Sequence, residues 1–235
     1  MRLDKYLNEK YPEYTRSKHQ DLIKRGHVLV NGKTILKTGH RINQDDKIEI
    51  NKEVIYKSRA ADKLKYALNL FNISLLNKIV IDVGASTGGF TDLSLKEGAK
   101  LVYAYDVGTN QMDESLLTNP KVKSFEKTNI LSVIIPNNDI CLVDVSFTSV
   151  IPILNYLKNK TNEVLFLLKP QFEVTKGDLK KGILKDLKKH DLVLKKIISY
   201  IDEINYQIKG FTKSPILGKD GNIEYIFYIL RSENA

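Results

Sequence analysis

Cysteine is nearly absent from this chain: Cys141 is the only one in 235 residues. A lone thiol excludes an internal disulfide framework and fits a reducing compartment. It lies inside the apolar run 139–143, so it reads as a buried structural thiol and not as a nucleophile. Long apolar runs are missing as well. No stretch approaches the roughly 18 apolar residues of a membrane span, and the opening MRLDKYLNEK lacks the apolar centre of a signal peptide. These absences predict a cytoplasmic protein with no membrane partner. The four histidines are scattered and form no Cys/His set with ligand spacing, so no metal is expected. Internal repeats and low-complexity segments are lacking too.

Positive charge is what the chain has in excess. Its formal charge of +9 and pI near 9.3 predict a polyanionic partner, most simply nucleic acid. The excess is uneven: residues 1–58 carry 13 Lys+Arg against 8 Asp+Glu, so over half of it sits in a quarter of the chain. A 42% hydrophobic content and a mean hydropathy of -0.26 describe a globular protein. The length suffices for one sizeable domain and one small one.

The stretch IVIDVGASTGGF at 79–90 organises the larger part. Residues 79–81 are a short β-branched run, read as a buried strand that Asp82 closes. Gly84, Gly88 and Gly89 then form a turn that a bound molecule can approach, and helical spacing resumes at Phe90. Strand, glycine turn and helix make the nucleotide crevice of an open α/β sheet. The spacing departs from the dinucleotide fingerprint G-x-G-x-x-G. Asp82 ahead of the glycines suits a ligand with a cationic or amine-bearing group better than a pyrophosphate. Strand Leu101–Tyr105 ends in Asp106, about 20 residues on, where a carboxylate can accept both hydroxyls of a ribose. The combination resembles the S-adenosylmethionine site of class I methyltransferases. It implies contacts from Asp82, Gly84, Ser86, Thr87, Gly88, Gly89 and Phe90. Asp106, Val107, Thr128, Asn129 and Asp144 complete the candidate set.

Ahead of that stretch, residues 2–7 have helical spacing, and Thr15 or Ser17 can cap a second helix that runs to Arg25 and stops at Gly26. A strand at 27–30, the Asn31-Gly32 turn and a strand at 48–50 follow. The pieces TRS, LIKRGHV and VNGK resemble the S-four-type RNA-binding module, whose helices present basic side chains to an RNA backbone. That resemblance implies RNA contacts from Arg2, Lys5, Arg16, Lys18, Lys24, Arg25 and Lys33. Residues 51–57 read as a linker or short strand, and 63–71 as an amphipathic helix with Leu64, Ala67, Leu68 and Phe71 on one face.

Further strands are expected at 122–125, 139–143, 164–168, 206–211 and 223–230, with a helix at 192–201. Strand ends at Asp82, Asp106, Asp144 and Lys169 would line one edge of a parallel sheet with charge, and buried charges need partners. Glu224 is a lone carboxylate in an apolar strand. The Lys-rich segment 175–191 reads equally as a mobile substrate loop or as the solvated start of a helix.

The pieces SRAADKL, DVGASTGGFTD, DVGTNQ, EKTNI, LVDVSF, LLKPQFE and SPILGKDGNIEYIFY occur in the order seen in the TlyA family, also labelled hemolysin A. The likeness covers essentially the whole chain. It implies a class I Rossmann-like, FtsJ-like methyltransferase domain at 59–235 with a mostly parallel seven-stranded sheet, behind a small α+β RNA-binding domain at 1–58. It also implies 2′-O-methylation of cytidine in ribosomal RNA, with S-adenosylmethionine as donor and the ribosomal subunit as partner. Short members resemble those acting on the large subunit only. Family catalysis uses a Lys-Asp-Lys-Glu set, which maps onto Lys63, Asp144, Lys169 and Glu224. Ala60 stands where members usually carry glycine, and residues 174–183 hold fewer glycines than is common. A non-catalytic RNA-binding assembly factor on the same fold is the rival reading. A membrane-active cytolysin is disfavoured by the missing signal, apolar span and large amphipathic membrane helix.

Overall fold

The computed structural model describes residues 1–12, 14–24, 26–50, 59–218 and 220–232, without the side chains of Ser17, Lys18 and Arg59. The chain divides into two compact units, Met1–Ile55 and Tyr56–Ala235. The linker or strand expected at 51–57 lies outside the described residues.

In the first unit, helices α1 (Leu3–Lys10) and α2 (Arg16–Lys24) precede strands β1 (Val28–Val30), β2 (Lys33–Thr34) and β3 (Ile48–Ile50). The antiparallel sheet has the order β2-β1-β3. Asn31 and Gly32, both with positive φ (51° and 75°), make the two-residue turn that joins β1 to β2. Leu3 and Leu7 of α1 are four residues apart on one helical face. They pack with Leu22, Ile23, Val28, Val30 and Ile42 into a small core of their own.

The second unit is built on seven strands: β4 (Ile79–Val83), β5 (Leu101–Tyr105), β6 (Val122–Phe125), β7 (Ile140–Val143), β8 (Glu163–Leu168), β9 (Tyr206–Lys213) and β10 (Tyr225–Arg231). Their order is β6-β5-β4-β7-β8-β10-β9. The first five are parallel; β10 runs antiparallel to β8 and β9. This is the mostly parallel seven-stranded sheet that the sequence predicts. Helices α3 (Arg59–Leu70), α4 (Gly89–Lys96), α5 (Glu114–Leu117), α6 (Ile151–Leu157) and α7 (Leu187–Glu203) lie between the strands in sequence. Side chains alternate along a strand. Ile81 and Val83 of β4 therefore join the core beneath α6 and α7, with Cys141, Phe166, Phe227 and Ile197. Phe166 and Phe227 stack with centroids 5.1 Å apart, and cutting either to alanine costs about 3–5 kcal/mol. Burial pushes the Cys141 thiol well above its usual range, which keeps it protonated and unreactive.

Asp82 departs from its expected position. It does not close the strand but lies within β4, on the face opposite Ile81 and Val83, where the Thr91 hydroxyl of α4 reaches it. Glu224 precedes β10 instead of lying in it. The strand pattern continued past both charged residues, so alternation alone could not locate them.

Candidate active site

Strand order reverses between β4 and β7, and a crevice opens at the carboxyl ends of strands on either side of such a point. A cavity of about 1040 Å³ lies there, walled by Gly84, Ser86, Asp106, Asp144, Lys169 and Glu224 among others. Its first wall is the turn after β4. Gly84 takes φ 85°, and a Cβ there would stand 2.6 Å from the Asp144 carbonyl oxygen, so only glycine lets the ends of β4 and β7 meet. Gly88, with φ 89°, leads into α4 and faces Leu116 and not the cavity. Ser86, Thr87, Gly89 and Phe90 do line it.

Both oxygens of Asp106 accept backbone N–H groups, from Ser86 at 2.8 Å and Gly108 at 2.6 Å. An ionised carboxylate has about four acceptor sites, so room remains for hydroxyl donors. Val107, Thr128 and Asn129 border the same space. The Asn129 side-chain oxygen caps the short turn that follows it, taking the Leu131 N–H at 3.0 Å. Asp82 is not on the wall. Its carboxylate is fully buried, its Oδ2 takes a 2.6 Å bond from Thr91, and its Oδ1 has no partner among the described residues. Burial raises its pKa to about 7, with Asp144 and Asp106 adding to the effect. A buried carboxylate with one unpartnered oxygen, beside the Gly84 turn, fits a ligand that brings positive charge.

The same cavity is bordered by two ion pairs. Lys63 on α3 is buried, with its Nζ 2.5 Å from Glu224 Oε2. Lys169 follows β8, its Nζ 2.6 Å from Asp144 Oδ1 and 2.9 Å from Ser146 Oγ. All four charged residues border the one cavity. Asp144 and Lys169 follow parallel strands, Lys63 comes from α3 and Glu224 from the loop ahead of the antiparallel β10, and all four reach the same cavity.

Several contributors escaped the sequence reading. Ser146 is an exposed hydroxyl in VDVSF, with nothing in the sequence to say that it would reach Lys169. Phe147 holds φ 65°, strained for an aromatic residue, and is 92% exposed, its ring 5.4 Å from that of Phe172. Gly218 is glycine for space: a Cβ there would lie 2.4 Å from Glu224 Oε1. Within KPQFE, Glu173 has a structural task, accepting from Ser149 Oγ at 2.7 Å and Val150 N at 2.8 Å at the head of α6.

In the first unit, Asp4 is buried and accepts Arg2 Nε and Nη2, each at 3.0 Å, with Gln20 at 3.2 Å. Arg16 stands 3.9 Å away. The hydrogen-bonded Arg2 guanidinium is the chief reason that the Asp4 carboxyl falls to about 2. Lys5, Lys24 and Lys33 are exposed on α1, α2 and β2. Lys18 belongs to α2 by its backbone, and Arg25 lies outside the described residues.

A family model for the FtsJ-like methyltransferase matches residues 56–231, and one for the S4 domain matches residues 1–48. A relative named Hemolysin A, from Brachyspira hyodysenteriae, is 41% identical over 98% of this chain and 100% of its own length. One from Campylobacter jejuni subsp. jejuni, named 23S rRNA (cytidine-2′-O)-methyltransferase TlyA, is 35% identical over 99% of this chain and 100% of its own. Among solved structures, a hemolysin-named protein from Streptococcus thermophilus superposes with a TM-score of 0.74 at 34% identity, covering 99% of this chain and 89% of that one.

Proposed function

From the premise that the chain belongs to the FtsJ-like methyltransferase family, we propose that it methylates the ribose 2′-hydroxyl of a cytidine in ribosomal RNA, with the large subunit as substrate. The observation that carries this reading is the meeting of two lysine–carboxylate pairs in one cavity with the Asp106 turn. S-adenosylmethionine, when bound, supplies an electrophilic methyl group on a sulfonium. Asp106 would accept ribose hydroxyls of that cofactor. The Gly84 turn admits it close to the backbone, and Asp82 offers negative charge below. Ser86, Thr87, Phe90, Val107, Thr128 and Asn129 enclose it.

A ribose hydroxyl is a poor nucleophile at neutral pH and must be aimed and relieved of its proton. Lys169 Nζ orients the 2′-oxygen and receives its proton, a role that requires the amine to be neutral at the moment of attack. Asp144 and Ser146 fix that nitrogen from two sides. Lys63 and Glu224 hold each other and the target ribose. The exposed Phe147 ring offers a face to a base, since stacking on aromatics is how single-stranded nucleotides are commonly held. The S4 unit supplies RNA affinity and none of the chemistry. A ribosomal substrate places the work in the cytoplasm.

The test is labelled methyl transfer from S-adenosylmethionine to isolated subunits, followed by mapping of ribose methylation. A labelled 2′-O-methylcytidine in the large-subunit RNA is expected. Tight subunit binding without transfer would make the protein an assembly factor and overturn the proposal.

A further inference from the structure

Of the Lys-rich segment 175–191, residues 187–191 are the start of α7, while the residues ahead of them form a hydrogen-bonded turn and hairpin. Thr175 and Asp178 close a reciprocal cap over a short 3-10 turn, and Asp178 also pairs with Lys189. Lys180 and Ile183 then exchange backbone bonds of 2.9 and 3.1 Å across the tip Lys181-Gly182, whose φ values are 53° and 78°. Asn or Gly usually fills the first place of such a turn; here a lysine holds it against the steric preference of its own backbone. Leu184 is buried, and its carbonyl meets His190 Nε2 at 3.0 Å. The hairpin is clamped by Asn222, whose Oδ1 accepts Leu184 N–H at 3.0 Å while its Nδ2 donates to the Gly182 carbonyl at 3.0 Å. Asn222 borders the cavity two residues before Glu224.

Lys176, Lys180, Lys181, Lys185 and Lys188 are exposed and have no carboxylate partner among the described residues. Elsewhere in the same unit Lys65, Lys78 and Lys96 pair with Glu97, Glu163 and Asp92. Of the nearby carboxylates, Asp178 is engaged by Lys189 and Asp186 by the Lys188 N–H.

We infer that this hairpin is a rigid phosphate-docking rim for the RNA strand flanking the target nucleotide, tied through Asn222 to the loop that carries Glu224. The inference rests on the proposed RNA substrate and assigns it a second binding surface, on the catalytic unit itself. A flexible lysine tail would forfeit much of its binding energy in becoming ordered; a hairpin fixed beforehand does not.

The test compares the full-length parent with Lys180→Gln/Lys181→Gln/Lys185→Gln. The charge-matched control, Lys100→Gln/Lys121→Gln/Lys123→Gln, alters exposed lysines on β6 and just ahead of β5 and β6. Subunit binding is measured across a salt series, beside steady-state transfer. Removing one lysine–phosphate pair should lower the salt slope by about 1, so the slope of the hairpin variant should fall by about 3. Its KM for subunits should rise about tenfold or more, with kcat within twofold and cofactor affinity unchanged. An unchanged slope, or an equal fall in the control, overturns the inference. Because the slope is read from binding, it survives separately: if the parent binds but transfers no methyl, the reaction falls and the docking rim stands.

Discussion

Both units bury a carboxylate to hold a cation, and they aim the cation in opposite directions. In the S4 unit, Asp4 anchors Arg2, which is 56% exposed, and stands near Arg16, which is 70% exposed. In the methyltransferase unit, Glu224 and Asp144 hold Lys63 and Lys169 at 8% and 10% exposure. The residue types follow the task. A guanidinium stays charged and presents a planar fork to phosphate, whereas an amine can give up its proton when its surroundings ask for it. On the proposed function, outward cations would serve affinity for a polyanion and inward ones a single bond change.

The hardest test of that contrast is Lys169. Replacing it with Ala should reduce single-turnover methyl transfer by about 100-fold or more, the usual loss when a positioned proton-transfer group is removed. Folding, cofactor binding and subunit binding should stay near the parent's. Lys169→Arg should fail as well, because a guanidinium does not accept a proton. Transfer within a few-fold of the parent in both variants would mean that an inward lysine is no more chemical than an outward one.

Next in size is Asp106→Ala, which should weaken S-adenosylmethionine binding by about 10- to 100-fold, the range for hydrogen bonds to a charged group. RNA affinity should not move. Calorimetry showing unchanged cofactor affinity would remove the site from this turn.

Smaller still is the effect of Lys5→Gln with Arg16→Gln. Without these two cations on the RNA backbone, the salt slope of subunit binding should fall by about 2, with cofactor affinity and the saturated transfer rate intact. Arg2 is the wrong residue for this test, since removing it strands a buried Asp4 and unfolding would confuse the result. A parental slope would show that the outward cations do not meet phosphate.

The mildest prediction concerns pH. With its pKa raised to about 7, Asp82 is neutral in acid and ionises as pH passes through 7. A cationic ligand nearby favours the ionised form, so binding releases protons and apparent affinity should climb severalfold from pH 6 to 8. Asp82→Asn should flatten this rise. The same rise in Asp82→Asn would assign the titration to another group.

Much of the catalytic unit was legible because parallel strands buried on both faces read as β-branched runs, and residues at their carboxyl ends must share an edge. That logic located Asp106, Asp144 and Lys169 correctly at strand ends. It failed for Asp82, because one further apolar residue, Val83, extends β4 and turns the carboxylate toward α4. It could not find Ser146, Asn222 or Gly218 either. Their roles depend on which loops meet at the sheet edge, and hydrophobic period carries no information about loops. In the S4 unit the Asn31-Gly32 turn was written in two residues, while the pull of the buried Asp4 on Arg2 was not, because nothing in the spacing of a helix start says that its aspartate is buried.

The missing Cβ of Gly84 has one more consequence. Strands β4 to β6 run out one side of the sheet centre and β7, β8 and β10 the other, so the walls of the cavity grow from separate halves. Gly84 against the Asp144 carbonyl is a stitch across that seam. A methyl group there would pry the halves apart where the ends of β4 and β7 meet at the cavity. A side chain at Gly84 would therefore be felt by both halves at once.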